Sequence, residues 1–279
     1  MPVPEVKNVS YDFTGEVVVI TGGARGMGRS HALAFAAAGA DVVIADICES
    51  IPTVPYQLPT EEDLSSVAEE VRSHGGRCLA VRTDIRSSDQ VANMIDRAVS
   101  EFGKVDILVN NAGIENGALL SEMTEQEWDD MLNIQLKGTF LCARAIVQRM
   151  IDARKGRIIN IGSVASITAM PRHTHYAAAK HGAYGFTKAL ALEVGRHNVT
   201  VNLVCPTAID TPMVKGMEAT ADSDWLRQLG EMTGPMSIMG DGGLLSPQEI
   251  TNAVLWLASD AANFVTGSAI MVDAGFVIK

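Results

Sequence analysis

The sequence predicts an α/β fold, an open and doubly wound parallel sheet with helices on both faces, in a single domain covering residues 1–279. Three observations carry this. Short β-branched runs alternate along the chain with longer segments of helical periodicity. The runs, such as Val17 to Ile20 and Val42 to Ile44, are apolar throughout, so neither sheet face is built for water. A chain of 279 residues with 47% hydrophobic composition supplies one large core, and no Pro/Ser-rich linker or like-charge block divides it.

The first strand is expected over 15–21, ending in glycines, and a small-residue helical pattern follows over 30–38. The second strand is 41–46. The next loop, 47–59, holds Pro52, Pro55 and Pro59, which fit neither a helix interior nor a central strand. It is longer than a usual strand-to-helix connection, which invites a functional reading. Helix resumes after a Thr60 cap, with Leu64, Val67, Ala68 and Val71 on one face. A strand at 78–82 precedes a helix whose stripe is Val91, Met94, Ile95, Ala98, Val99 and Phe102. Then come a strand at 107–110, a long helix over 124–150, and a strand at 157–161. A helix carrying Tyr176 and Lys180 and a strand at 200–205 follow. Ser246-Pro247-Gln248-Glu249 reads as a capping box with Pro at the first helical position, and a final strand is expected near 269–273.

A net charge of −11 disfavours nucleic acid or an anionic membrane as partner, since both need concentrated Lys and Arg. No apolar run approaches a membrane span, and residues 1–13 lack a signal-peptide stretch, so a cytoplasmic protein is expected. Cys48, Cys78, Cys142 and Cys205 are scattered and read as reduced, unbridged thiols. His173 and His175 lack companions at zinc-ligand spacing, so they read as loop polar groups and no metal is expected.

In a doubly wound sheet a dinucleotide lies where the strand order reverses, with its pyrophosphate at the N-terminus of the first helix. Gly22, Gly26 and Gly28, between the first strand and helix, fit that turn. Asp46 ends the second strand, where a carboxylate accepts hydrogen bonds from the adenosine ribose and repels a 2′-phosphate, so the cofactor is expected to be NAD(H). Farther along, Ser163, Tyr176 and Lys180 lie thirteen and then four residues apart. Free tyrosine titrates near 10, and a neighbouring ammonium or a cationic nicotinamide stabilises its phenolate. Lys180, one helical turn beyond Tyr176, supplies such a charge and reaches the nicotinamide ribose. The roles expected are Tyr176 as acid/base, Lys180 as pKa depressor and ribose ligand, and Ser163 as orienter of the substrate oxygen.

Glycine turn, Asp46 and Ser-Tyr-Lys together resemble the short-chain dehydrogenase/reductase family, from residue 15 to the C-terminus. The resemblance implies a Rossmann-type sheet and more cofactor positions. These are Met27 in the glycine turn, Ile47 after Asp46, Asp84 with Ile85 near the adenine, and Asn111, Ala112 and Gly113 of Asn-Asn-Ala-Gly beside the ribose. Pro206, Ile209 and Thr211 would hold the nicotinamide carboxamide, with Thr207 standing where the family has Gly. A basic residue at Arg25 occurs in NADP-using members of the family, but Asp46 is taken to prevail. The family also has an Asn in an Asn-Leu-x-Gly segment that holds a relay water. Here the segment reads Gln135-Leu136-Lys137-Gly138, and Asn133 lies roughly 200° around the helix. Either Gln135 serves with one extra methylene or the relay is altered.

Residues 207–245 are where the family keeps a substrate lid, and this chain places Met213, Met217, Met232, Met236 and Met239 there with Trp225, Leu226 and Leu229. Adaptable methionines suit an apolar substrate, expected to be a secondary alcohol or its ketone, cyclic ones included. The 47–59 insertion, Tyr176-Ala-Ala-Ala-Lys180-His181-Gly182 and the segment 206–213 resemble the carveol-dehydrogenase-like, mycofactocin-associated subgroup. That resemblance implies tightly bound NAD with the insertion over its adenosine end, a dedicated redox partner to reoxidise NADH, and a homo-oligomer, a tetramer. Two other readings compete. A dinucleotide-sensing regulator would not need the intact Ser-Tyr-Lys set, and an NAD-dependent epimerase or dehydratase generally needs more chain after Lys180.

Overall fold

A computed structural model describes residues 9–221, 225, 227, 230, 231, 234, 238, 239 and 243–279. Seven strands lie in one sheet: β1 (Val17–Thr21), β2 (Asp41–Asp46), β3 (Cys78–Arg82), β4 (Ile107–Asn110), β5 (Gly156–Ile161), β6 (Val199–Pro206) and β7 (Ala269–Val272). All neighbours pair in parallel, in the order β3-β2-β1-β4-β5-β6-β7. This is the Rossmann-type sheet expected. Chain order reverses at β1, between β2 and β4, and so opens a crevice at the C-terminal ends of those strands.

Alternation along each strand sends side chains to two cores. Val18, Ile20, Val42 and Ile44 pack against α1 (Gly26–Ala37), α2 (Glu61–Ser73) and α8 (Pro247–Ala258). Val17, Val19, Val43 and Ala45 face α3 (Ser88–Phe102), α5 (Thr139–Ala153) and α6 (Thr174–Val194). Thr60 caps α2 in a reciprocal box with Asp63, and Thr124 does the same with Glu127 for α4 (Glu125–Leu132). Ser246 caps α8 through Gln248 N at 3.2 Å, one residue short of a capping box.

Three local features differ from the sequence expectation. Helix α1 starts at Gly26, ahead of the apolar pattern that marks its body, because its first turn is built of glycines. The long helix is broken into α4 and α5 by a π-helical turn at Asn133–Gly138, which contains Gln135. The 47–59 loop is not a loose excursion, since Ile51, Val54 and Leu58 are buried in the core. The segment after β6 forms α7 (Pro212–Thr220), while Leu226, Leu229, Met232 and Met236 lie outside the described residues. The four cysteines are free thiols. Among the described residues, no helix is long and apolar enough to cross a membrane.

Candidate active site

The glycine turn is a three-way junction. Thr21 Oγ1 accepts from Asn111 N at 3.1 Å and Ala112 N at 3.0 Å, and Asn111 Nδ2 donates to Thr21 O at 2.9 Å and Gly22 O at 3.1 Å. A Cβ on Gly22 would stand 2.7 Å from Ala112 Cα, and one on Gly28 would run into Gly22 O. These two glycines therefore let β1, α1 and the turn after β4 close on one another. Gly26 differs, because its Cβ would point across the crevice at the Thr211 methyl, 3.3 Å away. No side chain among the described residues caps α1, so its first N–H groups are left for an anion such as a pyrophosphate.

Gly22, Arg25, Gly26, Met27, Asp46, Ile47, Asp84, Ile85, Asn111, Ala112, Gly113 and Thr211 line one crevice of about 810 Å³. Gly28 sits inside the turn instead, Pro206 ends β6, and the buried Ile209 bridges to Leu245. Three crevice residues that sequence reasoning missed, Ile51, Leu58 and Pro59, come from the insertion. The only sequence signal for them was the insertion's length.

Asp46 accepts from Ala24 N at 3.1 Å and Ile47 N at 2.9 Å. Burial raises its carboxyl pKa, and those backbone bonds and the Arg25 charge hold the rise back. Arg25 donates to Gln57 O at 2.6 Å and lies 5.9 Å from the Tyr56 ring centroid. It is thus engaged by the insertion. Asp84 pairs with Arg86 at 2.8 Å, Arg86 reaches Asp130 at 3.0 Å, and Thr53 of the insertion donates to Asp130 at 2.9 Å. The crevice edge and the insertion share this network.

Ser163 follows β5 and Tyr176 and Lys180 project from the first turns of α6, so two adjacent elements bring the three together, all buried. The Ser163 side chain lies close enough to the Tyr176 hydroxyl to lower its pKa, and Ser163 Oγ accepts from Ala165 N at 3.1 Å. Lys180 Nζ donates to Ile161 O at 2.8 Å and lies 5.5 Å from the Tyr176 ring centroid. Burial lowers the Lys180 pKa to about 8. Burial and the Glu115 carboxylate raise Tyr176 well above 10, with Ser163 pulling the other way. The lowering of Tyr176 expected from Lys180 is thus outweighed by burial at both groups.

Beside Tyr176 opens a cleft of about 860 Å³ walled by Val164, Met170, Val214, Met217, Trp225, Leu244 and Phe276, with Glu115, His173, Thr207 and Glu218 as its other polar lining. Met213 lines the crevice instead, and Met239 is exposed away from both. His173 and His175 are buried, contrary to their reading as loop groups. His175 Nε2 meets Asn116 Oδ1 at 2.7 Å, and His173 Nε2 lies 3.3 Å from Glu115 Oε1, close but off the hydrogen-bond axis. Burial pulls the His173 pKa down, but Glu115 and Pro171 O outweigh it and leave it raised. Gln135 Nε2 donates to Ile114 O at 2.5 Å, directly under Gly113, and Gln135 O accepts from Thr139 Oγ1 at 2.9 Å.

A parallel sheet with an uncapped glycine turn at its switch point and a buried Ser-Tyr-Lys group beside it defines a dinucleotide-binding oxidoreductase domain. Comparison with known proteins narrows the class. A family model described as enoyl-(acyl carrier protein) reductase matches residues 22–277. A (-)-trans-carveol dehydrogenase of Rhodococcus erythropolis is 35% identical, over 95% of this chain and 98% of the relative. A short-chain dehydrogenase from Mycobacterium paratuberculosis solved with NAD superposes with a TM-score of 0.89 at 34% identity, covering 96% of this chain and 100% of that one. A carveol dehydrogenase from Mycobacterium avium in complex with NAD gives 0.88 at 34%, covering 97% and 100%. The chain belongs to the short-chain dehydrogenase/reductase family.

Proposed function

We propose that this protein is an NAD-dependent dehydrogenase that interconverts an apolar, cyclic secondary alcohol and its ketone. The cofactor is NAD: relatives are solved with it, and the buried Asp46 faces the place of the ribose while Arg25 is spent on Gln57 O and Tyr56. The observation that carries the substrate class is the apolar wall of the cleft beside Ser163 and Tyr176, which no Lys or Arg joins among the described residues.

NAD, when bound, accepts the carbinol hydride and brings a positively charged ring to the site. Tyr176 acts as base only as the phenolate, after its own proton has left toward solvent past Lys180; the phenolate oxygen then takes the alcohol proton, and Ser163 donates to the substrate oxygen. Lys180 is held by Ile161 O, within reach of the tyrosine, and binds the ribose. Pro206, Ile209 and Thr211 shape the nicotinamide end. Gln135 is given the relay position, in a π-helical turn beneath Gly113.

Ile51, Leu58 and Pro59 of the insertion line the crevice, which supports a slowly exchanging cofactor and, with it, a redox partner that reoxidises NADH in place. Exposed Leu192 on α6 and the fully exposed Phe264 support a homo-oligomer, a tetramer by family resemblance. A second reading, reduction of acyl thioesters, is favoured by the family model's description and by 3-oxoacyl-(acyl-carrier-protein) reductases of Thermotoga maritima and Chlamydia trachomatis, each 36% identical to this chain. It conflicts with Glu218 in the cleft, whose carboxylate repels phosphate-bearing acyl carriers. The deciding experiment is a substrate scan following the cofactor at 340 nm, with a dye acceptor where NADH stays bound. Turnover of carveol or cyclohexanol is expected. Turnover of acyl thioesters without any secondary alcohol would overturn the reading.

A further inference from the structure

Glu115 and His173 stand in the cleft wall, and beyond the field Glu115 exerts on Tyr176 and Lys180 the hydride-transfer roles leave them unassigned. His173 Nδ1 lies 2.8 Å from Pro171 O, which has no hydrogen to give, so Nδ1 carries one. Nε2 lies 3.3 Å from Glu115 Oε1, off the hydrogen-bond axis, so the carboxylate favours a protonated imidazole as its counter-charge. In an apolar wall such a pair gains nothing over well-packed hydrophobic side chains.

Its surroundings are built to keep it. Glu115 N donates to Tyr56 Oη at 3.0 Å, the preceding Ile114 O is held by Gln135, and the following Asn116 donates to Thr53 O at 2.9 Å. His173 lies between the Tyr176 and Trp225 rings, with centroids 6.0 and 5.8 Å away. Nε2 is sealed from the cleft, whereas the Glu115 side chain is 17% exposed there. The carboxylate is therefore the group a substrate meets.

Resting on the cleft assignment above, we infer that Glu115, charge-balanced by His173, accepts a hydrogen bond from a second hydroxyl of the substrate. The substrate is then a neutral diol or the matching hydroxy ketone. A carbonyl or ether at that place offers no hydrogen. An anion meets the Glu218 carboxylate, and an ammonium placed at Glu115 gains little from a carboxylate whose charge His173 balances.

The test uses the full chain with NAD, and measures kcat/KM for cyclohexanol, the cyclohexane-1,2-, 1,3- and 1,4-diols, 2-methoxycyclohexanol and 2-aminocyclohexanol. At least one diol is expected to exceed cyclohexanol by about ten-fold, mostly in KM, as one satisfied hydrogen bond in a dry site allows. That advantage is expected to collapse in Glu115→Leu. Should that variant not fold, the methyl ether serves on the wild-type protein, since it keeps the oxygen and lacks the hydrogen. A methyl ether as good as its diol, a better amino alcohol, or cyclohexanol equal to every diol would overturn the inference alone. If no alcohol is turned over, the proposed function falls and takes this inference with it.

Discussion

Tyr176 is buried beside a carboxylate, which holds its proton on, so a base at this position works only with compensating positive charge. Tyr176→Phe keeps the ring and removes that proton-carrying oxygen. Turnover is expected to fall by about two or more powers of ten while NADH titration gives an unchanged Kd. Activity within a few-fold of wild type would mean another group handles the proton. Gln135 poses a narrower question, because its amide already donates to Ile114 O. An asparagine is one methylene too short for that bond, although it is the residue the family places at the relay position. In Gln135→Asn we expect a shifted pH profile and solvent isotope effect with NADH Kd little changed. Weaker NADH with an untouched pH profile would reduce Gln135 to a brace under Gly113. Ser163, Tyr176 and Lys180 were legible in sequence because one strand end and one helix set their spacing. Glu115 and His173 were not, because only the fold brings the β4 turn to the start of α6.

At the scale of elements, the insertion between β2 and α2 is the distinctive part. It reaches Arg25 through Gln57, Glu115 N through Tyr56 and Asp130 through Thr53, so it joins the cofactor crevice to the cleft wall. Tyr56 also lies against Gly216 of α7, where a Cβ would come 2.5 Å from the Tyr56 Cβ. Tyr56→Ala removes the ring beside Arg25 and the hydroxyl under Glu115, while keeping the Cβ that faces Gly216. Stopped-flow fluorescence is expected to show NADH release about ten-fold faster or more, on the order of one lost large-to-small packing contact. An unchanged release rate would separate the insertion from cofactor retention. The strands β2, β3 and β4 fell on their expected ends because β-branched runs stop at polar or turn residues. The π-helical turn left no mark, since Met131, Ile134 and Leu141, three and seven residues apart and all buried, keep an ordinary helical rhythm across it. Pro52, Pro55 and Pro59 marked the insertion as irregular, but nothing local in it reported that Ile51 and Leu58 turn inward.

For the whole molecule, strand and helix alternation was enough to anticipate the parallel sheet, whereas the packing of its two faces depends on contacts far apart in sequence. One such contact makes stability depend on pH. His31 of α1 is fully buried, with Nδ1 2.8 Å from Thr251 Oγ1 of α8 and no hydrogen-bond partner for Nε2 among the described residues. Burial lowers its pKa to about 3, and burial likewise lowers His175 to about 4. In the unfolded chain both titrate near 6.5. As pH falls below that value the unfolded chain takes up protons that the folded one refuses, so stability is lost on acidification, down toward these folded pKa values. His173 has the opposite sign. Its contribution is complete below pH 6.5 and is lost as pH rises through its raised folded pKa, so the acid slope belongs to the other two. Each should contribute about 1.4 kcal/mol per pH unit over that window. Urea unfolding at pH 7.0 and 5.0 is expected to show the loss, and His31→Gln, though less stable at pH 7.0, should lose clearly less between the two. An equal loss in wild type and variant would mean that His31 takes up its proton in the folded protein, and that α1 and α8 open to admit it.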